Sequence, residues 1–153
     1  MTRVPAQGPS GHQAGHLVLY DGVCRLCNRS VQFVLERDRH AAFQFASLQS
    51  ATGQAMVARY GRSTGDLTTF YVVANFQTSG PRFYAKGDAA LFVLRELGWP
   101  WKAMLIAKIC PRAIRDRVYD LVARTRYRVF GRYDQCVMPR PEFRGRFIDE
   151  GRL

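Results

Sequence analysis

The chain has 153 residues, 47% of them hydrophobic and 23% charged, which suits one self-supporting core and is too short for two independent enzyme domains. No apolar run approaches the roughly 18 residues of a membrane span, and the opening stretch MTRVPAQGPSGHQAGH has no apolar signal region, so neither a spanning nor a signal-secreted protein is expected and the cytoplasm is the expected compartment. The net charge of +11 is uneven, with 13 basic against 6 acidic residues from Trp101 to Leu153; no nucleic-acid motif accompanies it, so nucleic acid is not an expected partner.

In chain order, residues 1–15 mix Pro, Gly, Ser, Gln and His without periodicity and are expected to form a flexible leader before a single domain over 16–149, with 150–153 as a tail. Leu17, Val18 and Leu19 form a short apolar strand closed by Tyr20 and the turn pair Asp21-Gly22. From Cys24 to about Arg39, Cys27, Val31, Val34 and Leu35 recur at helical spacing, with Arg25, Arg29, Glu36 and Arg39 off the stripe. Ala42 to Ala46 alternates as a strand, and Ser50 to Tyr60 reads as a short helix stopped by Gly61. Leu67 to Ala74 is dense in β-branched and aromatic residues, and Arg82 to Ala85 follows at hairpin distance across the turn residues of Asn75 to Gly80.

Gly87-Asp88 is placed to cap a helix from Ala89 to Leu97. Gly98-Trp99-Pro100 breaks that helix, and Trp99 and Trp101 are expected to cover the core. Two more helices are predicted, Trp101 to Ile109 and Pro111 to about Phe130, the second ending at Gly131. In it Ile114, Val118, Leu121, Val122 and Val129 form an apolar stripe expected to face inward, with Arg112, Arg115, Arg124, Arg126 and Arg128 at the surface. The order β-α-β-α-β-β-α with extra C-terminal helices predicts an α/β fold.

Cys24-Arg25-Leu26-Cys27 sits directly after a strand and a turn, in the first turn of the predicted helix. Exposed N–H groups and the helix dipole favour an anion there, so Cys24 is the expected nucleophile. One turn brings Cys27 back beside it, hidden on the apolar stripe and placed to attack a mixed disulfide. Asp21 stands three residues before Cys24, as a proton carrier for the exchange or as a purely conformational Asp-Gly turn residue. Arg25 and Arg29 supply positive charge near the thiolate or merely a solvated helix face. A CxxC is also half of a zinc site, which Cys110 and Cys136 could complete only as single residues 26 positions apart with no His nearby; Cys110 is more simply a packed thiol, and Cys136, in a loop between basic residues, is a packed thiol or a third reactive one.

The stretch Tyr20-Asp21-Gly22-Val23-Cys24-Arg25-Leu26-Cys27 resembles the DxxCxxC signature of the DCC family of thiol-disulfide oxidoreductases, with Asp21, Cys24 and Cys27 in the three named places. The resemblance continues through Gly87-Asp88-Ala89-Ala90-Leu91 with Leu97-Gly98, and through Arg126-Tyr127-Arg128-Val129-Phe130-Gly131 with Cys136, Pro139 and Arg146-Phe147. It implies a thioredoxin-like core extended by C-terminal helices. Thioredoxin-like enzymes usually carry a cis-proline at the start of the third core strand, where this chain, with no Pro between Pro9 and Pro81, has Leu67 or Thr68.

The expected activity is thiol-disulfide exchange by the Cys24-Cys27 dithiol, as a protein-disulfide reductase acting on a disulfide-containing protein or small-thiol substrate and restored by an external thiol reductant. No bound organic cofactor and no metal is expected, because the reducing equivalents travel in the two sulfurs. A binding module with a basic C-terminal surface and a metal-dithiol protein are the alternatives.

Overall fold

A computed structural model describes residues 15–63, 69–135 and 140–148. Residues 1–14 of the expected leader, the tail, Leu67, Thr68 and Cys136 lie outside the described residues. The elements run β1 (His16–Tyr20), α1 (Arg25–Arg37), β2 (Phe43–Ser47), α2 (Ala51–Arg59), β3 (Tyr71–Ala74), β4 (Arg82–Ala85), α3 (Lys86–Leu97), a 3-10 helix (Trp101–Ile109), α4 (Arg112–Val129) and a second 3-10 helix (Pro141–Arg146).

The strands form one sheet in the order β2-β1-β3-β4. β1 and β2 are parallel, with Val18 opposite Phe45, and α1 supplies the crossover that a parallel pair requires. β3 runs antiparallel to β1 and β4 antiparallel to β3. Strand side chains alternate between faces, so Val18, Tyr20, Phe45 and Val72 pack with Val31 and Val34 of α1 and Phe92 and Val93 of α3. Leu17, Leu19, Tyr71 and Val73 pack on the other side with Val57 of α2. This three-layer α/β arrangement is thioredoxin-like, in the element order expected from the sequence.

Local chemistry fixes the register of these layers. Ser50 caps α2 by accepting the Gly53 N–H at 3.0 Å. Gly53 lies so close to β2 that a Cβ there would sit 2.1 Å from the Ser47 carbonyl oxygen, a contact only glycine avoids. At the far edge of the sheet, Phe147 bridges to Phe45, Arg146 Nε donates to the Phe43 carbonyl at 2.7 Å, and the Arg146 guanidinium pairs with Asp38. The C-terminal segment is thereby stitched to β2.

Four expectations are corrected. β3 begins at Tyr71 rather than Leu67, and the Phe70 N–H is taken by the Tyr119 hydroxyl at 2.7 Å. α3 starts at Lys86 with no side-chain cap; Asp88, the expected cap, instead accepts from Arg115 Nη1 at 2.9 Å, because α4 brings a cation to it. Trp99 is 81% exposed and covers no core, whereas Trp101 stacks edge-on against Phe33. The largest correction concerns the facing of α4. Its apolar stripe points to solvent, and Arg126, expected at the surface, is buried at 3% exposure. The inward face of α4 makes directed polar contacts, among them Lys86–Asp120 at 2.8 Å and Arg126–Asp21 at 2.7 Å, and these fix the helix rotation against its hydrophobic pattern.

Candidate active site

The site forms where β1 ends and α1 begins. Asp21, Gly22 and Val23 turn the chain, the Cys24 N–H donates to the Asp21 carbonyl at 3.3 Å, and Cys24 takes extended backbone angles as the N-cap of α1. Its sulfur accepts the Cys27 N–H at 3.3 Å, so the thiol stands in for the usual capping oxygen and meets the helix's unpaired donors. Asn28 clamps the turn from the first coil of α1, its Nδ2 donating to the carbonyls of Gly22 at 2.8 Å and Cys24 at 2.9 Å.

The two thiols are opposite in character. Cys24 is lowered to about 6: the Cys27 S–H donates to its sulfur, burial opposes the charge, and the Cys27 N–H and the positive charge of Arg126 favour it. Cys27 is pushed far up, because its proton is held in that hydrogen bond, its surroundings are dry and a thiolate stands beside it. Cys24 is thus the more acidic thiol of the pair. Solvent access runs the other way. Cys24 has no exposed surface, while Cys27, expected to be hidden, is only half-buried. The cover comes from the segment after α4: Arg132 bridges to Cys24, the Tyr133 N–H donates to the Val23 carbonyl at 2.8 Å, and the Arg25 N–H donates to the Gly131 carbonyl at 3.4 Å. Gly131 makes this turn at φ +86, with the Arg25 side chain 3.2 Å from where a Cβ would be.

Asp21 is 2% exposed and lies at the hub of a buried network. Its Oδ1 accepts from the Val23 N–H at 3.1 Å and from Gln49 Nε2 at 2.7 Å. Its Oδ2 accepts from Arg126 Nη2 at 2.7 Å and from the Tyr127 hydroxyl. Burial and the hydrogen bond to Asp21 raise Tyr127 above an ordinary phenol. Gln49 also accepts the Gly22 N–H at 2.9 Å, tying the end of β2 to the turn that carries the cysteines.

Asp21, Cys24 and Cys27 are therefore brought together. The cation whose charge reaches both sulfurs is Arg126; Arg25 is turned over the Tyr133 ring and Arg29 lies exposed. Arg126, Tyr127, Gln49 and Asn28 were not singled out from the sequence for this site. Arg126-Tyr127 does open one of the blocks that carried the family resemblance, the one signal that pointed to it. Cys110 is half-buried and its carbonyl accepts from Arg115 Nε at 3.3 Å. Among the described residues no three His, Cys, Asp or Glu side chains gather as a metal site, and Cys136 lies outside them.

Comparisons with known proteins agree with this geometry. The chain is 37% identical over 132 residues to the uncharacterized protein YuxK of Bacillus subtilis (strain 168), covering 86% of this chain and 93% of that one. It is 36% identical over 121 residues to a chloroplastic DCC family protein of Arabidopsis thaliana, covering 78% of this chain and 67% of the other. No solved structure matches it. The family model for DCC1-like thiol-disulfide oxidoreductases matches residues 18–132, a span that begins in β1, takes in the dithiol and Arg126, and ends at the segment that bridges to Cys24. With its cysteine pair set at the head of α1 and Cys24 covered from the end of that same span, the chain belongs to the DCC1-like thiol-disulfide oxidoreductase family.

Proposed function

We propose that the chain reduces disulfides in the cytoplasm, with Cys24 as nucleophile and Cys27 as resolving thiol. The observation that carries this reading is the Cys24 sulfur at the N-cap of α1, accepting the Cys27 N–H at 3.3 Å, a place that favours the Cys24 thiolate and leaves the proton on Cys27. At neutral pH the Cys24 thiolate attacks one sulfur of a substrate disulfide. That S–S bond breaks, a Cys24–substrate disulfide forms, and the departing thiolate takes a proton from solvent. Cys24 is then uncharged, so the interaction that held the Cys27 proton is gone; Cys27 deprotonates and attacks the Cys24 sulfur. The second substrate sulfur leaves as a thiol, two electrons have passed to the substrate, and the Cys24–Cys27 disulfide awaits an external thiol reductant.

Two further parts of the site enter this reading. Substrate reaches Cys24 only when the 131–133 segment moves aside, since that segment bridges to Cys24 while the sulfur is fully buried. Asp21 acts as a positioning residue: its four accepted hydrogen bonds anchor Arg126 beside the dithiol, and the transferred proton moves between the sulfurs and solvent. Substrates are disulfide-bearing proteins or small disulfides, as the family name supports.

The test is trapping. Cys27→Ser still attacks but cannot resolve, so it accumulates a mixed disulfide with substrate, while Cys24→Ser accumulates none. Identical behaviour of the two variants overturns the assignment.

A further inference from the structure

The polarity of α4 is inverted relative to the body on which it packs. Its inward side holds Arg115, Tyr119, Asp120 and Arg126, tied to Asp88, the Phe70 N–H, Lys86 and Asp21 respectively. Its outward side holds Ile114 at 50%, Val118 at 57%, Leu121 at 63% and Val129 at 67% exposure. At about 100° per residue these four fall in one arc of the helix, and the exposed Arg117, Arg124 and Arg128 fall in the arc beside it. The 3-10 helix before α4 repeats the pattern, with Ile106 at 70% and Ile109 at 82% exposure beside the exposed Lys102 and Lys108. Trp99 precedes it at 81% exposure. From Leu97 to Arg115 the chain has no Asp or Glu, and the acids within α4 are engaged, Asp120 by Lys86 at 2.8 Å and Asp116 by Arg112 at 3.7 Å.

We propose that this surface seats on an anionic lipid bilayer, lying in the headgroup zone with its aliphatic side chains at the acyl boundary and its Arg and Lys groups on lipid phosphates. Among the described residues no helix is long and apolar enough to cross a membrane, so the contact is peripheral. A bilayer supplies apolar depth and negative charge side by side, the pairing that the outward side of α4 presents and the preceding 3-10 helix repeats. A second copy supplies the apolar part but sets these cations against one another with no carboxylate between them. Residues 1–14 of the chain contain no Asp or Glu and complement the charge no better. An exposed indole suits the interface, where its ring is buried and its N–H stays wet.

The experiment is co-sedimentation of the full reduced chain with vesicles of phosphatidylcholine containing phosphatidylglycerol, against vesicles of phosphatidylcholine alone. The chain is expected to sediment with the anionic vesicles only, less so as salt rises, with a blue shift of tryptophan fluorescence. Arg117→Gln/Arg124→Gln weakens partitioning by about fivefold for each cation removed, and Val118→Gln/Leu121→Gln weakens it further. Both variants keep the wild-type Cys24 alkylation rate, which shows that they are folded. Absence of sedimentation overturns the proposal. So does binding to polyglutamate as tight as binding to vesicles and unaffected by Val118→Gln/Leu121→Gln, which assigns the face to an acidic protein. So does a solution dimer that Val118→Gln/Leu121→Gln converts to monomer, which assigns it to a second copy.

Discussion

Replacing Cys27 by Ala removes the S–H that donates to the Cys24 sulfur, the largest of the effects that hold Cys24 at about 6, while leaving the position-27 N–H at 3.3 Å and Arg126 in place. If Cys24 returned fully to an ordinary thiol near 8.5, its thiolate fraction at pH 7 would fall from about 90% to about 3%, roughly thirtyfold. Each remaining thiolate would be more reactive, because nucleophilicity rises with basicity at a Brønsted slope of about 0.4–0.5, regaining about 10–20-fold. Near pH 7 the two effects almost cancel, leaving the variant about two- to threefold slower; above pH 9 both proteins are largely ionised and the variant is about tenfold faster. The pH–rate profiles therefore cross, and the midpoint for Cys27→Ala lies between about 6 and about 8.5 because the N–H and the guanidinium remain. Cys27→Ser, which restores a hydroxyl donor, has a lower midpoint than Cys27→Ala. Iodoacetamide rates resolved by peptide mapping across the pH range measure all three profiles. A Cys27→Ala midpoint unmoved from wild type, or a wild-type midpoint at the ordinary thiol value, refutes the hydrogen-bond account of Cys24 acidity.

Asp21→Asn leaves Arg126 buried without its carboxylate and is expected to cost about 3–5 kcal/mol in urea denaturation; the double variant Asp21→Asn/Arg126→Met costs less than the sum of its parts, and strict additivity refutes the coupling. The dithiol shapes the pH dependence of stability, with opposite signs for its two sulfurs. Cys24 is lowered in the folded state, so its contribution is present above the unfolded thiol value near 8.5 and is lost as pH falls through about 6. Cys27 is raised, so its contribution is present below about 8.5 and declines as pH climbs above it. The melting temperature of the reduced protein minus that of Cys24→Ala/Cys27→Ala is thus expected to peak near pH 8.5, and a flat difference contradicts both shifts. Gly53→Ala puts a Cβ 2.1 Å from backbone oxygen; overpacking of this kind costs about 1–3 kcal/mol, read as a lowered melting temperature with Cys24 acidity retained.

The parts of the fold governed by local pattern were legible in the sequence. β1, α1, β2, α2 and β4 follow from two-residue or helical periodicity bounded by turn residues, and Cys24 and Cys27 follow from a CxxC at a strand-to-helix turn. Periodicity also located α4, but it shows where the apolar stripe lies and not which side meets the body. Arg115, Tyr119 and Arg126 decide that through partners far away in the chain, Asp88, Phe70 and Asp21. The Arg126–Asp21 pair spans 105 residues, so no local window contains it. Exposure of the two thiols was misjudged for a related reason: the cover on Cys24 comes from residues 131–133, beyond the last residue of α4. Asn28 and Gln49 act through side-chain amides bonded to turn backbone, a role that leaves no compositional trace.

The connection from Asp21 to Arg126 also bears on how the chain is made. Synthesis proceeds from the N-terminus, and every strand of the sheet, together with α1, α2 and α3, has been laid down by Leu97. At that stage the CxxC is present, yet the cation that draws protons from both sulfurs, the Tyr127 hydroxyl and the cover over Cys24 all lie downstream. A nascent core therefore carries a dithiol in which the Cys27 S–H and N–H already favour a Cys24 thiolate, with the Asp21 charge opposing it and neither guanidinium nor cover in place. Docking of α4, a contact of long sequence separation and hence late in folding, adds the Arg126 charge and closes the 131–133 segment over Cys24 in the same event. The acidity of Cys24 thus precedes its burial, and a chain caught between the two stages is open to cross-linking through the sulfur that the docked segment shields.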